Sequence, residues 1–212
     1  METRLSDLTV RDLVAGLATD DPIPGGGSAS ALAAAMGASL VGMVVALTSG
    51  RPAAGEHEEA LTELRTRSAT LASELVRLAE IDAAAYGSVV DARRLPRGSE
   101  VERLARETQI GHAVREATSA PLETARRAEE VLELAERLAP IGSPNAVSDV
   151  GVAALLAVAG MRGAAMNVRI NLPGLPKDDP LGPEASSELD RLFVGLDERE
   201  RAVRDAVESR IG

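Results

Sequence analysis

The pattern of apolar positions predicts helices along most of the chain. Between about residues 56 and 92, Leu or small side chains recur at alternating intervals of three and four residues, which is typical of a helix packed along one side. Similar patterns predict helices over residues 100–138 and 184–211. No segment alternates polar and apolar residues over a useful length, which argues against β-strands. We therefore expect an all-α bundle.

Capping signals mark the ends of several predicted helices. Thr9 can cap a short first helix, and Ser99 can begin a capping box at the start of the 100–138 helix. Pro121 lies inside that helix and should kink or interrupt it, because proline lacks an amide hydrogen. The segments add up to five or six helices, and we treat residues 1–212 as a single domain.

Two more helices, predicted over residues 29–48 and 149–168, carry almost no charge. The uncharged run from Pro22 to Gly50 is long enough to span a bilayer. It is rich in Ala, Gly and Ser rather than Leu, Ile and Phe, so we expect a helix buried in a bundle or subunit interface and no membrane association. A chain of this size can hardly cover both helices alone, which predicts a homodimer formed through them.

Composition narrows the classes of function. The 212 residues include 37 alanines, one Tyr, one Phe and no Trp, so the core must be built from small side chains. The absence of Cys excludes disulfides and thiolate metal sites, and His57 and His112 share no metal-ligand spacing, so we expect no metal. A net charge of −10 argues against nucleic acid as a partner. The polar N-terminus does not look like a secretory signal, which predicts a cytoplasmic protein.

The stretch Pro24-Gly25-Gly26-Gly27-Ser28 precedes the first uncharged helix and is a candidate binding loop. Glycines let the backbone approach a ligand, and the helix start offers unpaired N–H groups that suit an anion or a developing oxyanion. The alternative is a tight structural loop in which Ser28 is the N-cap. The sequence alone does not favour either.

Asp82 occupies a position on the apolar stripe of the 56–92 helix where Leu or Ala would be expected. A carboxylate there is partly desolvated, which would raise its pKa toward the range useful for proton transfer. There are two alternative explanations for an acid at this position: a buried structural ion pair, or a helix that is rotated slightly toward solvent. Tyr86, one turn later, could stack on a planar ligand or simply fill the core.

Polar residues also cluster at the two ends of the second uncharged helix. Asn145, Ser148 and Asp149 lie at its start, where they could act as caps or hydrogen-bond a heterocycle. The remaining candidates are arginines that can bind a ligand carboxylate and asparagines that can line a polar site. A single arginine, however, more often forms a surface salt bridge. These are Arg51, Asn167, Arg169 and Asn171.

Five blocks of sequence, which occur in order across about residues 5–210, resemble one known family. The blocks are residues 21–28 with the small-residue helix that follows, 81–86, 95–96, 144–154 and 167–172. Taken together they resemble the formiminotetrahydrofolate cyclodeaminase / methenyltetrahydrofolate cyclohydrolase family. Two positions depart from the usual pattern: Arg97 stands where members often have Lys, and Ser143 where they often have Asn.

The resemblance implies an all-helical subunit that dimerises and acts on a tetrahydrofolate derivative without a cofactor. It implies that Asp82 is the catalytic acid and that the glycine loop and the polar blocks build the folate site. As a hypothesis of our own, Asp149 orients Asp82 or stabilises charge beside it. Cyclodeaminases convert 5-formimidoyl-tetrahydrofolate to 5,10-methenyl-tetrahydrofolate and ammonia, and this is the first expectation. Cyclohydrolases interconvert 5,10-methenyl- and 10-formyl-tetrahydrofolate, and this is the alternative. A non-catalytic helical dimerisation module is the third.

Overall fold

Four long antiparallel helices form the core of the protein. They are α2 (Gly26–Thr48), α3 (Glu58–Arg94), α4 (Glu100–Leu138) and α5 (Val147–Asn171). The computed structural model describes residues 4–211, without the side chains of residues 52–54, and that part of the chain contains no strand. The all-α prediction is therefore confirmed.

Each core helix packs against the next one in sequence, and α5 returns to pack against α2, so the four close into a ring. Shorter elements complete the fold. A short helix, α1 (Val10–Gly16), precedes the core, and α6 (Leu181–Phe193) and α7 (Leu196–Glu208) pack across α4 and α5. The 3-10 turns of the described chain are Leu5–Asp7, Pro52–His57, Pro144–Ala146 and Leu172–Gly174.

The small side chains of α2 and α5 let these two helices approach very closely. A Cβ atom built on Gly160 of α5 would lie 2.8 Å from the carbonyl oxygen of Ser30 and 2.9 Å from the Cβ of Ala34 on α2. The core around this contact consists mainly of Ala, Val and Leu. The alanine-rich composition is therefore used to bring helix axes together, as the sequence predicted.

The α3–α4 pair is much longer than its partners. With 37 and 39 residues, these helices extend about 55–58 Å, whereas α2 and α5 extend only about 35–37 Å. The end of α3 and the start of α4 therefore project beyond the bundle as a hairpin. A separate small cluster of apolar side chains holds the base of this hairpin together.

Several helix boundaries differ from the sequence predictions. The last helix, predicted over residues 184–211, is divided into α6 and α7 because Gly195 adopts a left-handed conformation with φ 67°. Helix α2 begins three residues earlier than predicted, and α5 continues to Asn171. Pro121 does not interrupt α4, which is helical from end to end. The predicted caps at Thr9 and Ser99 are confirmed.

Two helical segments, Gly26–Thr48 and Pro144–Gly174, are long and apolar enough to cross a membrane by length and composition alone. About half of each segment is buried inside the bundle. Core helices of a bundle pass the same test, because a helix surrounded by other helices is apolar on most of its surface.

We expect that Gly160→Val destabilises the protein by roughly 1–3 kcal/mol, because the added atoms overpack the contact with α2. The free energy of unfolding, measured by urea denaturation, gives the effect. Gly182→Ala is the matched control, since a Cβ there would meet only Leu175, at an ordinary 3.9 Å. Equal stabilities of the two variants would contradict the close approach of α2 and α5.

Candidate active site

A cavity of about 240 Å³ opens where the first turn of α2 meets α3, α4 and the end of α5. This is the end of the bundle from which the α3–α4 hairpin projects. The cavity is lined by Pro22, Ile23, Gly25, Gly26, Gly27, Asp82, Ala83, Tyr86, Ala117, Asn167, Ile170 and Asn171. Six of the predicted site residues are in this set: three glycines, Asp82, Asn167 and Asn171.

Asp82 faces the first turn of α2, as the apolar stripe predicted. Its Oδ2 atom lies 3.1 Å from the Ser28 hydroxyl oxygen. A Cβ atom at Gly27 would overlap the carboxyl group, so only glycine allows α2 to approach α3 this closely. The glycines therefore serve as bare backbone against which the acid packs.

Burial raises the pKa of Asp82 above its ordinary value, because the charged form loses hydration. Hydrogen bonds from the side chain and the backbone of Ser28 oppose this increase in pKa, since they favour the ionised carboxylate. Among the residues that the structure describes, Asp82 is the only acidic side chain lining the cavity, and no Arg, Lys or His lines it. The arrangement suits a carboxyl group that takes up and releases a proton at higher pH than an exposed aspartate does.

A compact turn leads the chain into α2. Asp21 Oδ1 accepts a hydrogen bond from the backbone N–H of Ile23 at 3.0 Å, and the Ile23–Pro24 peptide bond is cis. Gly25 is the N-cap and the helix begins at Gly26, so the alternative in which Ser28 is the N-cap is wrong. Ser28 is instead the third residue of α2. It is buried, and neither it nor Pro24 lines the cavity.

Asn171 lines the cavity, and its side chain is held by a backbone carbonyl group of α4. Its Nδ2 donates to the carbonyl oxygen of Ala117 at 2.7 Å. Within α4 this carbonyl would ordinarily accept from residue 121, but that residue is Pro121 and has no N–H to donate. The side chain of Asn171 therefore satisfies the carbonyl that proline leaves free. Nearby, Asn167 donates to Gly163 in its own helix at 2.9 Å.

Arg169 does not reach the cavity. Its guanidinium lies 5.5 Å from the centre of the Phe193 ring, on the side of α5 that packs beside α6. Tyr86 does line the cavity, and its side chain is 41% exposed. The opening of the cavity therefore presents an aromatic face rather than a cation.

The remaining predicted residues form a second polar cluster at the opposite end of the bundle. There Arg51 donates to the Ser143 hydroxyl at 2.9 Å. Asn145 and Ser148 are exposed, and Asp149 lies in the first turn of α5.

Eighteen residues of helix α5 separate Asp149 from Asn167, which is roughly 27 Å. The expectation that this second cluster and the glycine loop form one site is therefore wrong for a single chain. Asp149 cannot contact Asp82 of the same subunit.

Sequence reasoning missed several residues of the site. Pro22, Ile23, Ala83 and Ile170 line it through apolar atoms, which no polar motif signals. The Ala117 carbonyl could have been found, because a proline four residues later in a helix leaves a backbone acceptor free. In the described residues, no group of three or more His, Cys, Asp or Glu side chains is arranged to hold a metal ion.

The fold and the cavity define a class of protein: a four-helix core with one half-buried acid held against a glycine-rich helix start. Comparison with known proteins gives the family. The family model described as formiminotransferase-cyclodeaminase matches residues 9–190. The chain belongs to this family.

Individual relatives include full-length and partial matches. A methenyltetrahydrofolate cyclohydrolase of Methylorubrum extorquens is 37% identical over 96% of this chain and 97% of its own length. The formimidoyltransferase-cyclodeaminase of Mus musculus is 31% identical over 84% of this chain, but the match spans only 33% of that longer protein. The crystal structure of formiminotetrahydrofolate cyclodeaminase from Thermotoga maritima superposes with a TM-score of 0.85 at 25% identity, covering 98% of this chain and 99% of that one.

We expect that Asp82→Asn stabilises the folded protein at pH 8 more than at pH 4. Between the ordinary pKa of 3.8 and the raised pKa of the folded state, the folded protein binds more protons than the unfolded chain, so stability falls as pH rises through this window. Asn has no charge to bury and removes that loss. Urea unfolding of parent and variant at both pH values measures the difference.

Asp91→Asn is the control for this effect, because Asp91 is an exposed acid on the same helix. Its effect on stability should be small at both pH values. A stabilisation by Asp82→Asn that is the same at pH 4 and pH 8 would contradict the raised pKa.

Proposed function

We propose that the protein is a methenyltetrahydrofolate cyclohydrolase that uses Asp82 for proton transfer. The observation that carries the proposal is the position of Asp82: a half-buried carboxyl with a raised pKa, the only acid in a cavity at the glycine-rich start of α2. Full-length similarity to the M. extorquens cyclohydrolase supports this choice of reaction. No cofactor is required, and we expect the enzyme to act in the cytoplasm.

The chemistry needs one group that moves protons. Water adds to the carbon that bridges N5 and N10 of 5,10-methenyl-tetrahydrofolate, and Asp82 accepts a proton from that water. The bond from the carbon to N5 then breaks, and Asp82 returns the proton to N5. The product is 10-formyl-tetrahydrofolate, and one proton is released overall. A carboxyl group with a pKa near the working pH can take both roles in turn.

Formimidoyltetrahydrofolate cyclodeamination is the second candidate, and the fold shared with the T. maritima cyclodeaminase favours it. Here N10 attacks the formimidoyl carbon on N5 and loses a proton to Asp82. The formimidoyl group reacts in its protonated form, so the attack leaves an amine on the carbon; this amine takes the proton back from Asp82, departs as ammonia and leaves the cationic 5,10-methenyl bridge. Both reactions pass through a tetrahedral carbon between N5 and N10, so the same cavity can serve either.

The cavity is smaller than a complete folate site. Its volume of about 240 Å³ falls below the range of roughly 300–1,000 Å³ that is usual for small-molecule pockets. It can hold the reacting ring system beside Asp82 and Tyr86, with the aromatic side chain available for stacking on the pterin. The rest of the substrate must lie against another surface.

A homodimer supplies that surface. The outer faces of α2 and α5 carry exposed large apolar side chains, from the middle of α2 to its end and along most of α5. Monomeric soluble proteins rarely leave large apolar patches in water. Met36 and Leu155 are each 55% exposed near the middle of this face. Its other large apolar members are Met43, Leu47, Val152, Met166 and Ile170.

A two-fold axis through the middle of this face, perpendicular to the helices, would join the two polar clusters. Such an axis exchanges the ends of the antiparallel α2–α5 pair. Arg51 and Asn145 of the partner subunit would then approach the cavity that contains Asp82. In this arrangement the arginine could bind the carboxylate of the folate glutamate, and Asp149 of the partner subunit could contribute to the site.

We expect that Asp82→Asn lowers turnover by roughly 10²–10⁴-fold, the usual contribution of a general acid–base group, and leaves the fold intact. The assay follows methenyl absorbance with 5,10-methenyl-, 10-formyl- and 5-formimidoyl-tetrahydrofolate in parallel. Turnover of the first two substrates alone would establish the cyclohydrolase, and turnover of the formimidoyl substrate the cyclodeaminase. A protein that neither binds nor converts any reduced folate would be the non-catalytic dimerisation module.

We expect the protein to sediment as a dimer and Leu155→Glu to sediment as a monomer with little activity, because the charge would be buried at the centre of the interface. Val101→Glu is the control, since Val101 is an exposed apolar residue of α4 at the tip of the hairpin. It should leave both mass and activity unchanged. An active monomer would contradict the shared site.

A further inference from the structure

The Ser28 hydroxyl faces two oxygen atoms at once. Its Oγ atom lies 3.0 Å from the backbone carbonyl oxygen of Ala79 and 3.1 Å from Oδ2 of Asp82. Ser28 is only 1% exposed, so no solvent molecule competes for these contacts. A hydroxyl group has one proton, and it can donate to only one of the two oxygens at a time.

The direction of the Ser28 proton is therefore coupled to the protonation of Asp82. A carbonyl oxygen can only accept, so when Ser28 donates to Ala79 it offers Asp82 only its lone pairs. The contact with Asp82 is then a hydrogen bond only if the carboxyl group is protonated and donates. When Asp82 is ionised, the hydroxyl can rotate and donate to the carboxylate, while the Ala79 carbonyl keeps its ordinary partner within helix α3.

We propose that Ser28 is a positioning residue that acts through Asp82. The Ser28 hydroxyl can point in two directions, and it keeps one hydrogen bond to the carboxyl group of Asp82 whether that group is protonated or ionised. This inference rests on the proposed function only in assigning proton transfer to Asp82. Because both states are hydrogen-bonded, the carboxyl group stays in one orientation while it accepts and returns a proton. Catalytic acids that change orientation between the two steps would lose alignment with the substrate.

The surroundings of Asp82 leave this task to the Ser28 hydroxyl, because the backbone N–H of Ser28, which also bonds Asp82, can only donate. Helix α2 contributes no charged residue, and the preceding turn contributes Pro22, Ile23 and Gly25 to the cavity. Helix α4 contributes Ala117, whose carbonyl is already bonded to Asn171. The other polar side chains lining the cavity are Tyr86, one turn along α3, and Asn167 and Asn171 on α5. Asn167 and Asn171 have backbone partners of their own.

The test compares Ser28→Ala, Ser28→Thr and Ser30→Ala in the full chain. Ser30 is the matched control, because its hydroxyl is buried on the same helix but donates to Gly26 within α2. The first readout is a carbon-13 NMR titration of the Asp82 carboxyl group, assigned by its absence in Asp82→Asn. The second is the pH profile of kcat and KM for the substrate that the parent enzyme converts.

Removal of the hydroxyl in Ser28→Ala should raise the titration midpoint of Asp82, because the charge-assisted bond to the ionised carboxylate is stronger than the bond to the neutral carboxyl group. It should lower kcat roughly ten- to hundredfold with KM changed by less than about twofold, as expected for a lost hydrogen bond to a charged group. Ser28→Thr keeps the hydroxyl and should keep the parent midpoint. Ser30→Ala should match the parent in both readouts.

An unchanged Asp82 midpoint in Ser28→Ala would overturn the proposal, as would the same increase in Ser30→Ala. If Ser28→Thr behaved like Ser28→Ala, the role of Ser28 would be packing and the proposal would also be wrong. The NMR titration does not depend on turnover. A protein that converts no folate but shows the Ser28-dependent midpoint would therefore separate failure of the proposed function from failure of this inference.

Discussion

The structure of the site depends on one contact, the packing of a carboxyl group against the bare backbone of a helix start. Asp82 occupies the space that a side chain at Gly27 would take, and this brings α3 within hydrogen-bonding distance of Ser28. The contact removes the carboxyl group from most of the solvent, which raises its pKa. It also directs the group toward the cavity. If α2 and α3 did not approach this closely, the Asp82 carboxyl group would lose both its place in the cavity and its raised pKa.

The same physical principle, close approach through missing side-chain volume, operates along the whole bundle. Alanine and glycine allow α2 and α5 to pack almost backbone to backbone, as at Gly160. Small side chains fill such an interface but leave little volume for a deep pocket, which is consistent with the modest cavity beside Asp82. They also leave the larger residues of the two helices, such as Met36 and Leu155, pointing outward. A small cavity and an apolar outer face are therefore two results of one composition.

Backbone chemistry contributes as much to the site as side-chain chemistry. Pro121 leaves the Ala117 carbonyl without its helical donor, and Asn171 supplies the replacement from another helix. This pairing holds the end of α5 against α4 beside the cavity. Polar residues that look like ligands in the sequence can thus have a structural partner, while the Ser28 hydroxyl, which looks like a cap, faces the carboxyl group of Asp82.

The sequence by itself determined most of the helices, the caps at Thr9 and Ser99 and the inward position of Asp82, because helical periodicity and capping are local properties of neighbouring residues. It could not determine the break at Gly195, since nothing in the apolar pattern marks a left-handed residue. Nor could it place Asp149 far from Asp82 within one chain, because proximity between distant segments depends on helix length and direction. Only the antiparallel packing of α2, α3 and α5 decided which polar residues share a cavity and which lie at the opposite end of the bundle.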